Sequence, residues 1–219
     1  MLVYTNMAVN KKETIIISLG GSLVVPEQIN VEFLEGFKKT IQKYFKAKKF
    51  VIFVGGGKIC RVYQNALGEF GAKPSDRDWI GIDVTKLNAK VVRQVFAENR
   101  KSVDVASGTK PGHSTDYVAV LAAKKHKAKT IINLSNIDYV YDKNPKEFSD
   151  AMPFEKIFWK DFQKLVGAKW TPGMNAPFDP IAAKLAAKLK IKVAMINGQK
   201  FQELENFLNN KPFIGTTIQ

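Results

Sequence analysis

The chain of 219 residues is poor in the residues that bind soft metals or cross-link: it has one cysteine, Cys60, and two histidines, His113 and His126. One thiol cannot close an internal disulfide, and no pair of histidines or cysteines stands at metal-ligand spacing, so no protein-held metal is expected. Long apolar runs are also missing. None approaches the roughly 20 residues that a membrane helix requires, and Met1 to Glu13 lacks the apolar core of a secretory leader. A cytoplasmic protein with no membrane partner is the expectation. Acidic residues are few: 20 Asp and Glu stand against 34 Lys and Arg, for a formal net charge of +14. Such an excess suits anionic partners, either nucleic acid or small phosphorylated substrates. The lysines are spread along the chain, with short clusters only at Lys46 to Lys49 and Lys124 to Lys129, which reads as a solvated basic surface and argues against nucleic acid.

What is present describes one globular domain. Hydrophobic residues make up 45% and charged residues 25% of the chain, close to the average soluble protein, and the length suits a single core. Residues 1–12 have no clear period, and Met7 could serve as a start, so they are read as a flexible extension. The domain is placed at 13–219. Apolar, β-branched runs at Thr14 to Leu19, Phe50 to Val54, Ser102 to Ala106, Thr130 to Leu134 and Lys192 to Ile196 predict strands, with a possible closing strand at Gly215 to Ile218. Helical spacing predicts helices over Val31 to Lys46, Lys58 to Phe70, Trp79 to Glu98, Thr115 to Lys125, Trp159 to Val166, Asp179 to Leu189 and Phe201 to Asn209. In the sixth of these, Asp179 is suited to cap, Pro180 to the first position, and Ile181, Leu185 and Leu189 to the buried stripe. Alternating residues at Asn136 to Asp142 predict a hairpin. Strands alternating with helices imply an α/β fold: one three-layer α/β/α sandwich around a mainly parallel sheet.

In an open parallel sheet, ligands gather beyond the carboxyl ends of the strands. Four segments fall there: Gly20 to Ser22, Gly55 to Gly57, Gly108 to Thr115 and Ser135 to Asn144. Glycine turns and helix N-termini expose backbone N–H groups that a phosphate can approach. Any one of these loops could equally be a plain turn; several after apolar strands favour phosphate. Gly55-Gly56-Gly57-Lys58 lacks the spacing of a Walker A loop, and no dinucleotide fingerprint is found. His113 could donate to phosphate or merely shape its loop. His126 reads as a surface residue, and Cys60 as a small packed side chain.

These segments resemble the amino acid kinase superfamily, specifically its archaeal-type uridylate kinases, from about Ile15 to Ile218. The resemblance is carried by Leu19-Gly20-Gly21-Ser22, Gly55-Gly56-Gly57-Lys58 with Arg61, Asp78-Trp79-Ile80-Gly81-Ile82, the run Gly108 to Asp116, Asn136-Ile137-Asp138 with Tyr141, Asp179 to Lys184, and Gly215 to Ile218. It implies transfer of the γ-phosphoryl of ATP to UMP, with Mg²⁺, in a homo-oligomer that can reach a hexamer. It further implies ATP contacts from Gly20, Gly21, Ser22, Gly57, Arg61, Ser135, Tyr141 and Asn144. UMP contacts would come from Gly56, Asp78, Thr109, Lys110, Pro111, Gly112, His113, Ser114 and Thr115. Arg61, Asp179 and Lys184 would serve catalysis, Lys184 as the cation directed at the moving phosphoryl group. Three features depart from the family pattern: Ser18 where many members have lysine, Tyr139 and Asn144 in the donor loop, and a short segment between Asn88 and Gly108. Two other readings stay open at this point, a related kinase with another small phosphate or carboxylate acceptor and a weakly catalytic nucleotide-binding regulator.

Overall fold

The computed structural model describes residues 12–167 and 176–219. Of the expected N-terminal extension all but Lys12 lies outside the described residues. Nine strands and eight α-helices follow in chain order among them: β1 (Glu13–Leu19), α1 (Gly21–Val24), α2 (Val31–Gln42), β2 (Lys48–Val54), α3 (Gly57–Glu69), α4 (Pro74–Val95), β3 (Val103–Ala106), α5 (Thr115–His126), β4 (Thr130–Ser135), β5 (Val140–Tyr141), β6 (Pro153–Phe154), β7 (Lys156–Ile157), α6 (Trp159–Val166), α7 (Pro180–Lys188), β8 (Lys192–Asn197), α8 (Phe201–Leu208) and β9 (Thr216–Ile218).

The main sheet has the order β3-β2-β1-β4-β8-β9-β7. Its first five strands run parallel, whereas β9 runs antiparallel to β8 and carries β7 beside it. Because side chains alternate along a strand, β1 divides its residues between two cores. Ile15, Ile17 and Leu19 join Leu23, Phe37, Val92 and Leu204 from α1, α2, α4 and α8. Ile16 joins Ala119, Phe162 and Ala183 from α5, α6 and α7 on the opposite face. Near-continuous apolar strands are what burial on both faces demands, and the three-layer α/β/α architecture follows.

Three local expectations are corrected. The hairpin expected within Asn136 to Asp142 does not form; its apolar residues instead supply β5, which pairs antiparallel with the distant β6, Val140 opposite Phe154. The helix expected from Trp79 starts five residues earlier, at Pro74, because proline suits the first helical turn. It ends at Val95, and a 3₁₀ turn, Ala97–Asn99, leads to β3. On α7 the fully buried stripe is Ala182, Ala183 and Ala186, while Ile181 is 39% exposed. Small side chains let α7 sit close against its neighbours α5 and α6, which the larger Ile181 would hold apart.

Candidate active site

The carboxyl ends of β1 and β2 open into two glycine loops that pack backbone to backbone. Gly55 N–H donates to the Leu19 carbonyl at 2.8 Å, and Gly20 N–H to that of Leu134 at 2.8 Å. A Cβ on Gly21 would lie 2.2 Å from the Gly55 oxygen, and one on Gly57 would lie 2.5 Å from Ser22 N. Gly57 also has φ +69°, in the left-handed region. Glycine is therefore required at both positions by the loop-to-loop contact itself, whatever ligand they hold. A Cβ on Gly56 would meet the Cys60 side chain at 2.4 Å. Asn88, buried in α4, ties down the second loop by donating to the carbonyls of Gly55 at 2.9 Å and Gly56 at 3.3 Å. Both loops lead directly into helices, α1 and α3, whose N-termini face the same edge.

Beside these loops a cleft of about 160 Å³ is lined by Gly56, Gly57, Arg61, Asp78, Lys110, His113, Ser114 and Thr115, over a floor that includes Cys60, Gln64, Gly81 and Thr85. A larger, open recess of about 780 Å³ lies against Ser22, Glu27, Lys58, Arg61 and Asn136. Arg61 borders both. Asp78 is buried, and its Oδ2 accepts the Gly112 N–H at 2.8 Å, so this carboxylate holds the 108–115 loop across the cleft. Burial raises its pKa above the usual carboxylate value, opposed by the Gly112 hydrogen bond and the charge of Arg77. Gly108 N–H is fixed by Thr85 Oγ1 at 3.0 Å. His113 packs on Tyr117, ring centres 4.3 Å apart. Burial and Lys110 lower its pKa, with Asp179 acting in the opposite direction. Burial pushes the Cys60 thiol up to about 11, which leaves it unreactive at neutral pH.

Between the cleft and the second core lies a polar cluster, only part of which is expected from sequence. Ser18 and Asn133 are register partners on β1 and β4, and both donate to Asp116 Oδ1, Ser18 from Oγ at 2.7 Å and Asn133 from Nδ2 at 3.1 Å. Asp116 Oδ2 accepts the Asp179 N–H at 3.2 Å. Asp179 caps α7, its Oδ1 accepting from Ile181 N at 2.6 Å and Ala182 N at 3.2 Å, and its Oδ2 accepts from Ser114 Oγ. Ser114 in turn caps α5 through Tyr117 N at 3.1 Å. The N-termini of α5 and α7 are thus fastened together at the end of β1 and β4, and converging helix N-termini favour anions. Burial lifts the Asp116 carboxyl to about 6, Asp179 pushing the same way, against hydrogen bonds from Ser18, Asp179 N–H and Asn133.

The structure does not bring every expected residue to these cavities. Lys184 stands on the exposed face of α7 with Ile181 and Lys188 and lines neither cavity. Asn144 organises its own turn, accepting from Lys146 N at 3.1 Å and donating to Glu147 at 2.6 Å. Tyr141 lies in β5 against Tyr139. Ser135 ends β4, and its buried Oγ has no hydrogen-bond partner among the described residues. Asp116, Asn133, Asn88 and Thr85 were not singled out from sequence as site residues. The signal available was polar residues inside apolar periods: Asn133 interrupts Ile131, Ile132 and Leu134, and Asn88 falls on the buried stripe of α4.

The pattern of the Amino acid kinase family matches residues 102–197. The uridylate kinase of Thermoplasma volcanium is 32% identical over 94% of this chain and 98% of that protein; that of Methanocaldococcus jannaschii is 34% identical over 93% and 98%. The crystal structure of uridylate kinase from Archaeoglobus fulgidus superposes with a TM-score of 0.77 at 31% identity, covering 94% of this chain and 100% of that one. A parallel sheet with interlocked glycine loops at its carboxyl edge is thus that of a phosphotransferase fold, and the chain belongs to the amino acid kinase family. Its relatives named here are uridylate kinases.

Proposed function

We infer that the protein transfers the γ-phosphoryl group of ATP to UMP, giving ADP and UDP. The observation that carries this reading is Arg61, which borders both the cleft beside Asp78 and the open recess beside Ser22, with the paired glycine loops between them. Two anions must be brought in line across such a cradle, and positioning with charge neutralisation supplies most of the catalysis in phosphoryl transfer. UMP is assigned to the cleft, with its phosphate at Gly56, its ribose at Asp78, and the segment Thr109, Lys110, Pro111, Gly112, His113, Ser114 and Thr115 over it. ATP is assigned to the open side. Its phosphates would lie at Gly20, Gly21, Ser22, Gly57, Arg61 and the α7 N-terminus, and its nucleoside along Ser135, Tyr141 and Asn144. The unpartnered Ser135 hydroxyl supports a polar ligand there.

Mg²⁺ would neutralise charge on the ATP phosphates. Asp179, which caps α7, is the carboxylate assigned to hold the waters of that ion. Lys184, exposed and without an ion-pair partner among the described residues, is the cation assigned to the moving phosphoryl group once ATP is bound. Exposed Ile59, Val62 and Tyr63 on α3, at 37%, 54% and 51%, support a homo-oligomer through that face. No helix among the described residues is long and apolar enough to span a membrane, and a cytoplasmic location fits a nucleotide kinase. The test is a coupled ADP-release assay with ATP, Mg²⁺ and a panel of acceptors. Turnover with UMP well above that with other nucleoside monophosphates, isoprenoid phosphates and carboxylates is expected; a preferred acceptor from either of the last two classes would overturn the assignment.

A further inference from the structure

The basic residues that look scattered in the sequence meet in the fold. Five parallel strands, β3, β2, β1, β4 and β8, begin at one edge of the sheet, on the side away from the glycine loops. Lys101 precedes β3, Lys49 is the second residue of β2, Lys129 precedes β4, Lys192 opens β8 and Lys190 stands two residues before it. The pairings Phe50 with Val103, Glu13 with Lys48, Ile16 with Ile131 and Thr130 with Lys192 put all of them within two residues of a common level, a depth of about 7 Å. Four inter-strand gaps make the row about 19 Å wide. All five are exposed, and none is in an ion pair among the described residues. Glu13, which lies in the row, is already bonded to Lys48.

Helix dipoles explain part of this, since α5 and α7 end at the same edge and cations are favoured at helix C-termini. They do not explain Lys49, Lys101, Lys129 or Lys192, which lie in or before strands. Nor do they explain the backbone. Lys127 and Lys190 follow α5 and α7 with φ of 58° and 55°, at left-handed positions where glycine is usual and any other residue costs about 1 kcal/mol. The described loops entering β2, β3, β4 and β8 expose no large apolar side chain, so these loops offer neither an anchor that inserts into a bilayer nor an aromatic platform that stacks single-stranded bases.

We propose that this edge binds double-helical nucleic acid through its phosphate backbone, without reading sequence, while the nucleotide site on the opposite edge stays open. A row of about 19 Å spans a length of duplex that carries about 11 phosphates on its two strands, at one charge per ~1.7 Å, so the cations meet partners without a fixed register. The test uses the full chain and two random-sequence duplexes of about 20 base pairs, one DNA and one RNA, with fluorescence anisotropy at several salt concentrations. Binding should weaken steeply with salt. The triple variant Lys49→Gln, Lys129→Gln, Lys192→Gln should bind at least about tenfold more weakly at low salt, with the slope of log K against log salt reduced in size by about 3. Its UMP kinase activity should match wild type, which reports folding. The variant Lys73→Gln, Lys86→Gln, Lys156→Gln has the same net charge and should keep most of the affinity. Equal losses in the two variants would reduce the effect to net charge and overturn the proposal. So would absence of duplex binding, or binding to phosphatidylserine vesicles alone.

Discussion

Ser18 Oγ donates a 2.7 Å hydrogen bond to Asp116 Oδ1, across 98 residues of sequence. Among the described residues this carboxylate accepts only from hydroxyl, amide and backbone donors, those of Ser18, Asn133 and the Asp179 N–H, and no cation among them offsets the cost of burying it. That is why the Asp116 carboxyl rises to about 6.

The first prediction follows from that pKa. The folded value lies above the ordinary 3.8, so between about pH 4 and pH 6 the folded state binds more protons than the unfolded one. This contribution is present at low pH and is lost as pH rises through about 6, by up to roughly 3 kcal/mol for a shift of this size. Asp116→Asn cannot titrate. Urea midpoints measured from pH 4 to pH 7 should show wild type losing stability relative to the variant across that window; a constant difference would mean that Asp116 stays ionised.

Gly57 and Gly112 separate two reasons for glycine. Both have positive φ, +69° and +79°, but a Cβ at Gly112 meets nothing within 4 Å, whereas one at Gly57 meets backbone at 2.5 Å. Gly112→Ala should cost about 1 kcal/mol, the left-handed penalty alone. Gly57→Ala should cost roughly 3 kcal/mol or more, because two loops must separate. Thermal unfolding of the two proteins compares them directly; equal shifts would show that the loops are not locked together.

Asp78 has two tasks that a pair of variants can divide. Asp78→Asn keeps an oxygen for the Gly112 N–H but loses the charge that we propose faces the ribose, and should raise KM for UMP about 10-fold or more, the value of one charge-assisted contact of 1.5–3 kcal/mol. Asp78→Ala should do worse by also releasing the 108–115 loop. KM for ATP should stay within about twofold in both. Wild-type kinetics in Asp78→Asn alone would reduce this residue to a loop anchor.

Lys184→Met should lower kcat by roughly 10²–10³ with little change in KM, if the side chain acts as one electrostatic donor in the transition state. Its exposed position on α7 makes a folding defect unexpected, and circular dichroism checks this. Near-normal turnover would leave charge stabilisation to Arg61, backbone amides and Mg²⁺.

The fold was legible because apolar residues at period 2 and 3.6 report which faces are buried, and parallel β/α alternation leaves few topologies. The β1 run Thr14 to Leu19, the cap Asp179 with Pro180, and the helix Trp159–Val166 were all readable locally. So were the glycine loops, where Gly21 and Gly57 pack too closely against backbone to carry a side chain. The distant pairing of β5 with β6 was not, since no local pattern records a partner in another segment, and neither was the alanine face of α7, whose burial depends on how near α5 and α6 come. The sequence by itself therefore determined the alternation of strands and helices, the layers and the positions of the glycine loops. Only the tertiary structure decided that Ser18 and Asn133 meet Asp116, that Asp78 holds Gly112, and that lysines from separate segments share one edge. These depend on strand order and register, which bring groups far apart in the chain within a few ångströms and set their burial and charge.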